Sequence, residues 1–217
     1  MSEQQFVVRT LGVVDYEPTW RAMVEFTAAR TAATPDELWL CEHPPVYTLG
    51  QAGKPEHLLA DNDIPLVKCD RGGQITYHGP GQIVVYPLLD LNRRHLGVRH
   101  LVKCLEQSVI DLLGEFGINA RRLDGAPGVY VDRGDGSRYP AKIAALGLRI
   151  RHGCSYHGLS LNVAMELAPF SAINPCGYAG MPVTQLRDLG VDLAPAQAGA
   201  RLVERLRRQL QLPTEHS

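Results

Sequence analysis

Three short stretches of this 217-residue chain hold side chains whose type and spacing could do chemistry. In "YPAKIAALGLRI", residues 139–150, a charged amine sits in what reads as a β-strand. Side chains alternate faces along a strand, so Lys142, Ala144, Leu146, Leu148 and Ile150 are expected on one side. Arg149 and Arg151 then fall on the other, wet side. In "INPCGYAGMPVT", Cys176 stands between Pro175 and Gly177, outside any periodic segment, which predicts a loop thiol. In "RGGQITYHGPGQ", residues 71–82, polar and ionisable side chains alternate with glycines, which let backbone approach a ligand closely.

An amine and a thiol brought together form an acid–base couple. Ordinary pKa values near 8.5 for cysteine and 10.4 for lysine favour the ion pair by about 2.6 kcal/mol in water. Burial of separated charges erodes that preference and close contact restores part of it. Such a couple supplies a thiolate and later accepts or returns a proton. The alternative is a lysine whose stem lies along the apolar face and whose amine reaches water. Cys154, beside Gly153, is a competing loop thiol. Cys41, Cys69 and Cys104 fall inside strand or helix patterns, where a free cysteine behaves as a small hydrophobe. The glycine stretch fits a long turn between strands as well as a ligand loop. A phosphate loop is disfavoured, because GxxxxGK[ST] and GxGxxG are both absent. His78, His152 and His157 with Cys154 lack metal-ligand spacing. Cys176 with His78 or His157 would make a hydrolase dyad, but "NPCGYAGM" is too rich in glycine for the helix N-terminus that such a thiol uses.

The bulk properties narrow the classes. Apolar residues make up 45% of the chain and charged residues 21%, with a net charge of −1, so bulk charge argues for neither nucleic acid nor a membrane. The length fits one domain, 1–217, with a sizeable core. Of 22 Lys and Arg residues only four are lysines. Residues 1–15 lack a signal-peptide pattern, and no apolar run reaches the roughly 20 residues of a membrane helix. The five cysteines are odd in number and contain no CxxC pair, which points to reduced thiols and a cytoplasmic protein.

The positioning elements follow from periodicity. "QFVVRTLG" reads as a strand. Asp15 reads as the N-cap of a helix running to about Arg30, with Tyr16, Trp20, Val24 and Thr27 on one stripe. "ELWLCEH" and "PVYTLG" read as strands interrupted by Pro44 and Pro45, and "IPLVKCD" as a strand entering the glycine stretch. Residues 98–116 read as a helix with Val98, Leu101, Leu105, Leu112 and Phe116 inward and Gly117 at its C-terminal cap. "GVYVDRGDGSRYPAKIAALGLRI" reads as a hairpin turning at Asp135-Gly136, and "SYHGLSLNV" as a further strand. A last helix over about 195–211 presents Val203, Leu206 and Leu210. Runs of strands with helices between some of them predict an α+β, mixed α/β domain.

"RGGQITYHGPGQ", "PAKIAALGLRI", "HGLSLNV" and "INPCGY", in that order, resemble the lipoyl(octanoyl) transferase family. "EHPPVYTLG" fits as well, and the resemblance covers roughly residues 37–186. It implies a mixed sheet with packed helices, as in biotin and lipoate protein ligases. The implied activity is octanoyl transfer from octanoyl-acyl carrier protein to a lysine of lipoate-dependent proteins. Acceptors would be the lipoyl domains of 2-oxoacid dehydrogenase complexes and the glycine cleavage H protein. No cofactor, metal, nucleic acid or membrane is expected, and the sequence leaves the oligomeric state open, with a monomer the expectation. The resemblance assigns Cys176 as the acyl-accepting nucleophile and Lys142 as the lysine that activates it. Arg71, Gly72, Gly73, Gln74, Ile75, Thr76, Tyr77 and His78 match one substrate-binding segment. Ala145, Leu146 and Gly147 match a second, and Gly158, Leu159 and Ser160 a third. Arg71 and His78 are expected to orient the dyad, with backbone amides near Cys176 holding the oxyanion.

Small residues beside the lysine (Ala144, Ala145, Gly147) leave room for a hydrocarbon. Burying about seven alkyl carbons at about 0.8 kcal/mol each gives on the order of 5 kcal/mol for chain-length selection. An acidic carrier protein calls for a basic face. Arg93, Arg94, Arg99 and Lys103, or the arginines of the last helix, are the candidates, against the plainer reading of solvated helix faces. Three rival functions remain at this point: an ATP-dependent lipoate or biotin ligase, a non-catalytic carrier-binding module and a Cys–His thioesterase.

Overall fold

The computed structural model describes residues 6–60, 62–132, 139–174 and 181–211. The chain starts with strand β1 (Val7–Val13), helix α1 (Tyr16–Ala28) and strand β2 (Glu37–Glu42). Pro44 and Pro45 end β2 and send the chain out of its sheet into β3 (Val46–Leu49). Strands β4 (Leu66–Lys68), β5 (Ile75–His78) and β6 (Gln82–Leu88) lead to helix α2 (Val98–Gly114). Then come β7 (Ala120–Leu123), β8 (Ala126–Val131), β9 (Ala141–Arg151), β10 (Cys154–Asn162) and helix α3 (Pro195–Gln211). The strands form a seven-stranded sheet, β1-β2-β6-β10-β9-β8-β7, and a three-stranded sheet, β4-β3-β5. Both are mixed, because β1 pairs parallel with β2 and β3 parallel with β4 while the other pairs are antiparallel. The expected α+β architecture is the one observed.

Alternation along the strands divides the large sheet into two unlike faces. Leu38, Leu40, Ile83, Val85, Val129, Val131, Leu159 and Leu161 share one face with Leu101, Leu105 and Leu112 of α2 and Leu202 and Leu206 of α3. Trp39, Cys41, Val84, Tyr86 and Tyr156 lie on the other, against Met23 of α1. The small sheet packs through Tyr47, Leu49, Ile75 and Tyr77 onto Met165, Phe170 and Ile173.

Three local expectations change. Val98 and Phe116, expected on the inward stripe of α2, are 44% and 36% exposed, because Val98 opens the helix and Phe116 falls beyond its last residue, Gly114. Part of the glycine stretch, Ile75–His78, is strand β5 rather than turn. Strand β7 forms a further hairpin with β8 that the sequence pattern did not announce, its "ARRL" being half exposed and highly charged. The turn at Asp135-Gly136 lies outside the described residues. Among these residues no helix is long and apolar enough to cross a membrane.

Candidate active site

A cavity of about 70 Å³ lies between the α1-side face of the large sheet and the glycine loop with β5. Strands β6, β9 and β10 contribute Gln82, Val84 and Tyr86, then Lys142, Ala145 and Gly147, then Gly158, Ser160 and Asn162. Of the residues marked in the sequence, Lys142, Arg71, Gly73, Gln74, Ile75, Thr76, His78, Ala145, Leu146, Gly147, Gly158, Leu159 and Ser160 line it. Gly72 and Tyr77 do not. Gly72 donates its N–H to Leu148 O at 2.9 Å, and Tyr77 packs edge-on against Phe170. Cys176 lies outside the described residues.

Lys142 overturns two expectations. It does not reach water: it is 4% exposed. Nor does it share a face with Ala144, Leu146, Leu148 and Ile150. Tyr130 pairs with Lys142 and Val129 with Ala144, so Ile143 has no counterpart on β8. This β-bulge puts Ile143 and Ala144 together on the helix-packed face and turns Lys142 to the cavity face beside Ala145 and Gly147. Its Nζ donates to Pro127 O at 3.3 Å and stands 5.0 Å from the centre of the Tyr130 ring. The lysine backbone is tied down as well. Its N–H donates to Pro182 O at 2.8 Å and its carbonyl accepts from Thr184 N at 3.0 Å.

Arg71 holds its own loop. Its Nε donates to Thr48 Oγ1 at 3.1 Å, Nη1 to Gly72 O at 2.9 Å, and Nη2 to Thr48 O at 2.6 Å and Gln74 O at 2.7 Å. Four of the five guanidinium N–H donors are thereby used within residues 71–74 and in fastening them to β3. Gly147 permits the loop to lie on β9, because a Cβ there would stand 2.7 Å from Gly72 O.

The polar wall is ordered by a chain of hydrogen bonds. Asn162 Nδ2 donates to Thr184 O at 2.9 Å, so its Oδ1 accepts from Gln82 Nε2, also at 2.9 Å. Gln82 Oε1 then accepts from His78 Nδ1 at 2.6 Å, which leaves His78 Nε2 with a lone pair. Burial, and after it the neighbouring His43, push the His78 pKa down to about 3, so the ring is neutral. His43 donates from Nδ1 to Val14 O at 2.6 Å, and its Nε2 accepts the Tyr86 hydroxyl proton at 2.6 Å. Burial lowers its pKa too.

His157 forms a second polar centre. Its left-handed backbone (φ 57°) turns the ring out of the strand alternation and onto Trp20, with the centroids 6.4 Å apart. A non-glycine residue in this region costs about 1–3 kcal/mol and persists only where its surroundings hold it. Here they do, because Nε2 donates to Asp70 Oδ1 at 2.8 Å. Burial opposes charge on Asp70, yet hydrogen bonds from His157, Tyr156 and Trp20 hold it well below the usual carboxylate range. Burial lowers the His157 pKa, and its buried Nδ1 has no hydrogen-bond partner among the described residues.

The sequence-based grouping of His78, His152 and His157 with Cys154 is not assembled. His152 lies exposed on the β9–β10 turn, and Cys154 is buried at the start of β10. Burial raises the pKa values of Cys41 to about 12 and Cys104 to about 11, and raises that of Cys154. Tyr16, Gln82, Tyr86 and Asn162 line the cavity without having been marked in the sequence. Gln82 and Asn162 had a faint signal, as amides at the ends of otherwise apolar strands. Several basic side chains considered for docking are engaged internally. Arg93 and Arg94 bind buried Asp36, and Arg201 and Arg205 bind Glu115.

Residues 15–207 match the family described as the lipoyl protein ligase A/B catalytic domain. An octanoyltransferase from Dechloromonas aromatica is 65% identical over 204 residues, covering 94% of this chain and 96% of that protein. One from Thiobacillus denitrificans is 62% identical over 208 residues, covering 96% of this chain and 92% of that one. Among solved structures, a lipoate-protein ligase A bound with ATP aligns with a TM-score of 0.75 at 16% identity, over 98% of this chain and 88% of its own. The biotin protein ligase from Aquifex aeolicus in complex with biotin and ATP aligns with a TM-score of 0.57 at 14% identity, over 94% and 70%. At such identities the two ligases show the fold alone.

Proposed function

The chain belongs to the octanoyltransferase family and carries the lipoyl protein ligase A/B catalytic domain, and from that premise we propose a covalent acyl transfer. The donor is octanoyl-acyl carrier protein, the nucleophile Cys176, and the acceptor a lysine of lipoate-dependent protein domains. The observation that carries the reading is the placement of Lys142: a buried amine on the wall of a cavity whose neighbouring wall positions are Ala145, Gly147, Gly158 and Ser160. Its backbone is bonded to Pro182 and Thr184, a short stretch of chain after Cys176. Cys41, Cys69, Cys104 and Cys154 are buried and none of them lines the cavity, which favours Cys176 by contrast.

Lys142 takes the proton of the Cys176 thiol. The thiolate attacks the donor carbonyl, the carbon–sulfur bond to the carrier arm breaks, and the departing thiolate receives the proton back from Lys142. The neutral acceptor amine then attacks the acyl-enzyme thioester. The amide bond forms, the bond to Cys176 sulfur breaks, and Lys142 takes the surplus amine proton. The ion pair is thereby restored. With most Arg71 donors turned to its own loop and to β3, and the hydroxyl of Tyr86 donated to His43, the polar groups of the wall are largely engaged with one another, which suits a hydrocarbon.

Intact-protein mass measurement after mixing with octanoyl-acyl carrier protein, with no acceptor present, tests the reading. One octanoyl group is expected on the wild type, none on Cys176→Ala, and slow appearance on Lys142→Ala. An adduct that survives in Cys176→Ala removes the nucleophile assignment. Release of pyrophosphate with free octanoate and ATP would favour a ligase instead.

A further inference from the structure

The seat of Lys142 is built by a helix on the opposite side of the sheet. On β7 and β8, Arg121 pairs with Tyr130 and Leu123 with Ala126, so Arg122 faces three residues, 127–129, without regular pairing. The side chain of Glu106, on α2 and 5% exposed, fills this gap. Its Oε1 accepts the Gly128 N–H at 3.0 Å and its Oε2 accepts Arg122 Nε at 2.9 Å. The Gly128 N–H belongs to the same peptide unit as the Pro127 carbonyl, and that carbonyl accepts Lys142 Nζ at 3.3 Å. One planar amide therefore has a carboxylate on its N–H side and the lysine amine on its C=O side. Hydrogen bonds in such a series polarise one another: a carboxylate pulling on N–H makes the carbonyl a stronger acceptor. Gly128 makes the arrangement possible. Its φ is +140°, and a Cβ there would lie 3.1 Å from Lys142 Cε and 2.7 Å from Ala144 O, so the lysine stem rests on bare backbone.

We infer that Glu106 is a positioning residue for Lys142: acting through the Pro127–Gly128 peptide, it fixes the amine and favours its protonated form. This rests on the proposed pairing of Lys142 with Cys176. Glu106 touches neither substrate nor thiol in this scheme. It polarises the peptide from behind, its charge partly offset by Arg122. Arg71, His78 and His157 line the cavity with Lys142, and among the described residues no carboxylate enters to compete with the thiolate for the proton.

The test is the pH dependence of Cys176 alkylation by iodoacetamide, followed by intact mass and mapped to that residue. It uses wild type, Glu106→Gln, Lys142→Ala and the double variant, each checked for its melting temperature. Glu106→Gln is expected to raise the alkylation midpoint by about half a pH unit to one unit, with acylation by octanoyl-acyl carrier protein near neutral pH slowed about 3- to 10-fold. In the Lys142→Ala background the same substitution should change nothing further, because the residue through which it acts is gone. A wild-type profile in folded Glu106→Gln overturns the inference. So does an equal shift in both backgrounds, the mark of general structural damage. A normal profile in Lys142→Ala itself overturns the lysine–thiol pairing, and this inference with it. Should Glu106→Gln not fold, Glu106→Asp serves in its place. It keeps the charge but withdraws it from the Gly128 N–H, and a folded Glu106→Asp protein with no shift also overturns the inference.

Discussion

The two faces of the seven-stranded sheet are built from the same strands and do opposite work. Along β6, Ile83 and Val85 enter the layer shared with α2 and α3, while Gln82, Val84 and Tyr86 border the cavity. Along β10, Leu159 and Leu161 enter the first layer, while Gly158, Ser160 and Asn162 border the second. The helix-packed face is hydrocarbon, whose burial stabilises by roughly 25 cal/mol per Å² of apolar surface. The cavity face buries His43, His78, His157, Arg71, Gln82 and Lys142. Such groups cost free energy unless each finds a partner, and here most are held in connected hydrogen bonds. One face holds the sheet together, and the other tolerates polar groups because the first compensates.

Adjacent residues on β9 offer the sharpest contrast. Ile143→Lys would put an amine into the helix-packed layer, at a cost of several kcal/mol for an unpaired buried charge. The variant is expected to lose its cooperative melting transition. Lys142→Met, next in sequence but on the other face, should stay folded and lose at least about 100-fold in octanoyl transfer, in line with removal of a general acid–base group. A well-folded Ile143→Lys protein would break the comparison.

Leu105→Ala, in the helix-packed layer, should cost about 2–5 kcal/mol in denaturant unfolding while the activity of the folded fraction stays near wild type. Gly147→Ala should do the reverse. Its new methyl pushes on Gly72 O and dislodges the glycine loop, so transfer falls about 10-fold or more with little change in melting. A Gly147→Ala enzyme with full activity would show that the loop need not lie on β9.

Mild acid should act mainly through the histidines of the cavity face. The His78 pKa is lowered, so the folded state holds this ring neutral while the unfolded chain protonates it near 6.5. Its contribution to stability is complete above the unfolded value and declines as pH falls from about 6.5 towards 3, by on the order of 1 kcal/mol per pH unit. His43 and His157 shift in the same direction. Melting temperature measured from pH 7.5 to 4.5 should fall, and His78→Gln should flatten that slope. An unchanged slope would place the acid sensitivity elsewhere. Smallest of all, Arg208→Ala removes an exposed ion pair with Glu204 and should shift stability by no more than about 0.5 kcal/mol.

Helices α1, α2 and α3 and most strands were readable from periodicity, because each buries a stripe or a face set by its own spacing. Three of the four motifs carrying the resemblance supplied most of the described residues around the cavity, while most of "INPCGY" lies outside the described residues. The face taken by Lys142 was not readable. Alternation counts residues along one strand, whereas the bulge at Ile143 arises from how β9 registers against β8. Arg71 likewise was expected to orient the dyad from a substrate-binding segment, and only the approach of Thr48 and the Gln74 carbonyl turned its donors inward. Glu106 and Asp70 looked like ordinary charged residues until distant segments met them: Gly128 and Arg122 for the first, His157, Tyr156 and Trp20 for the second. Local spacing therefore determined which residues are apolar, turning or reactive. The assembled sheets decided which of them share a cavity, because pairing register and long-range hydrogen bonds join positions that no short window of sequence contains.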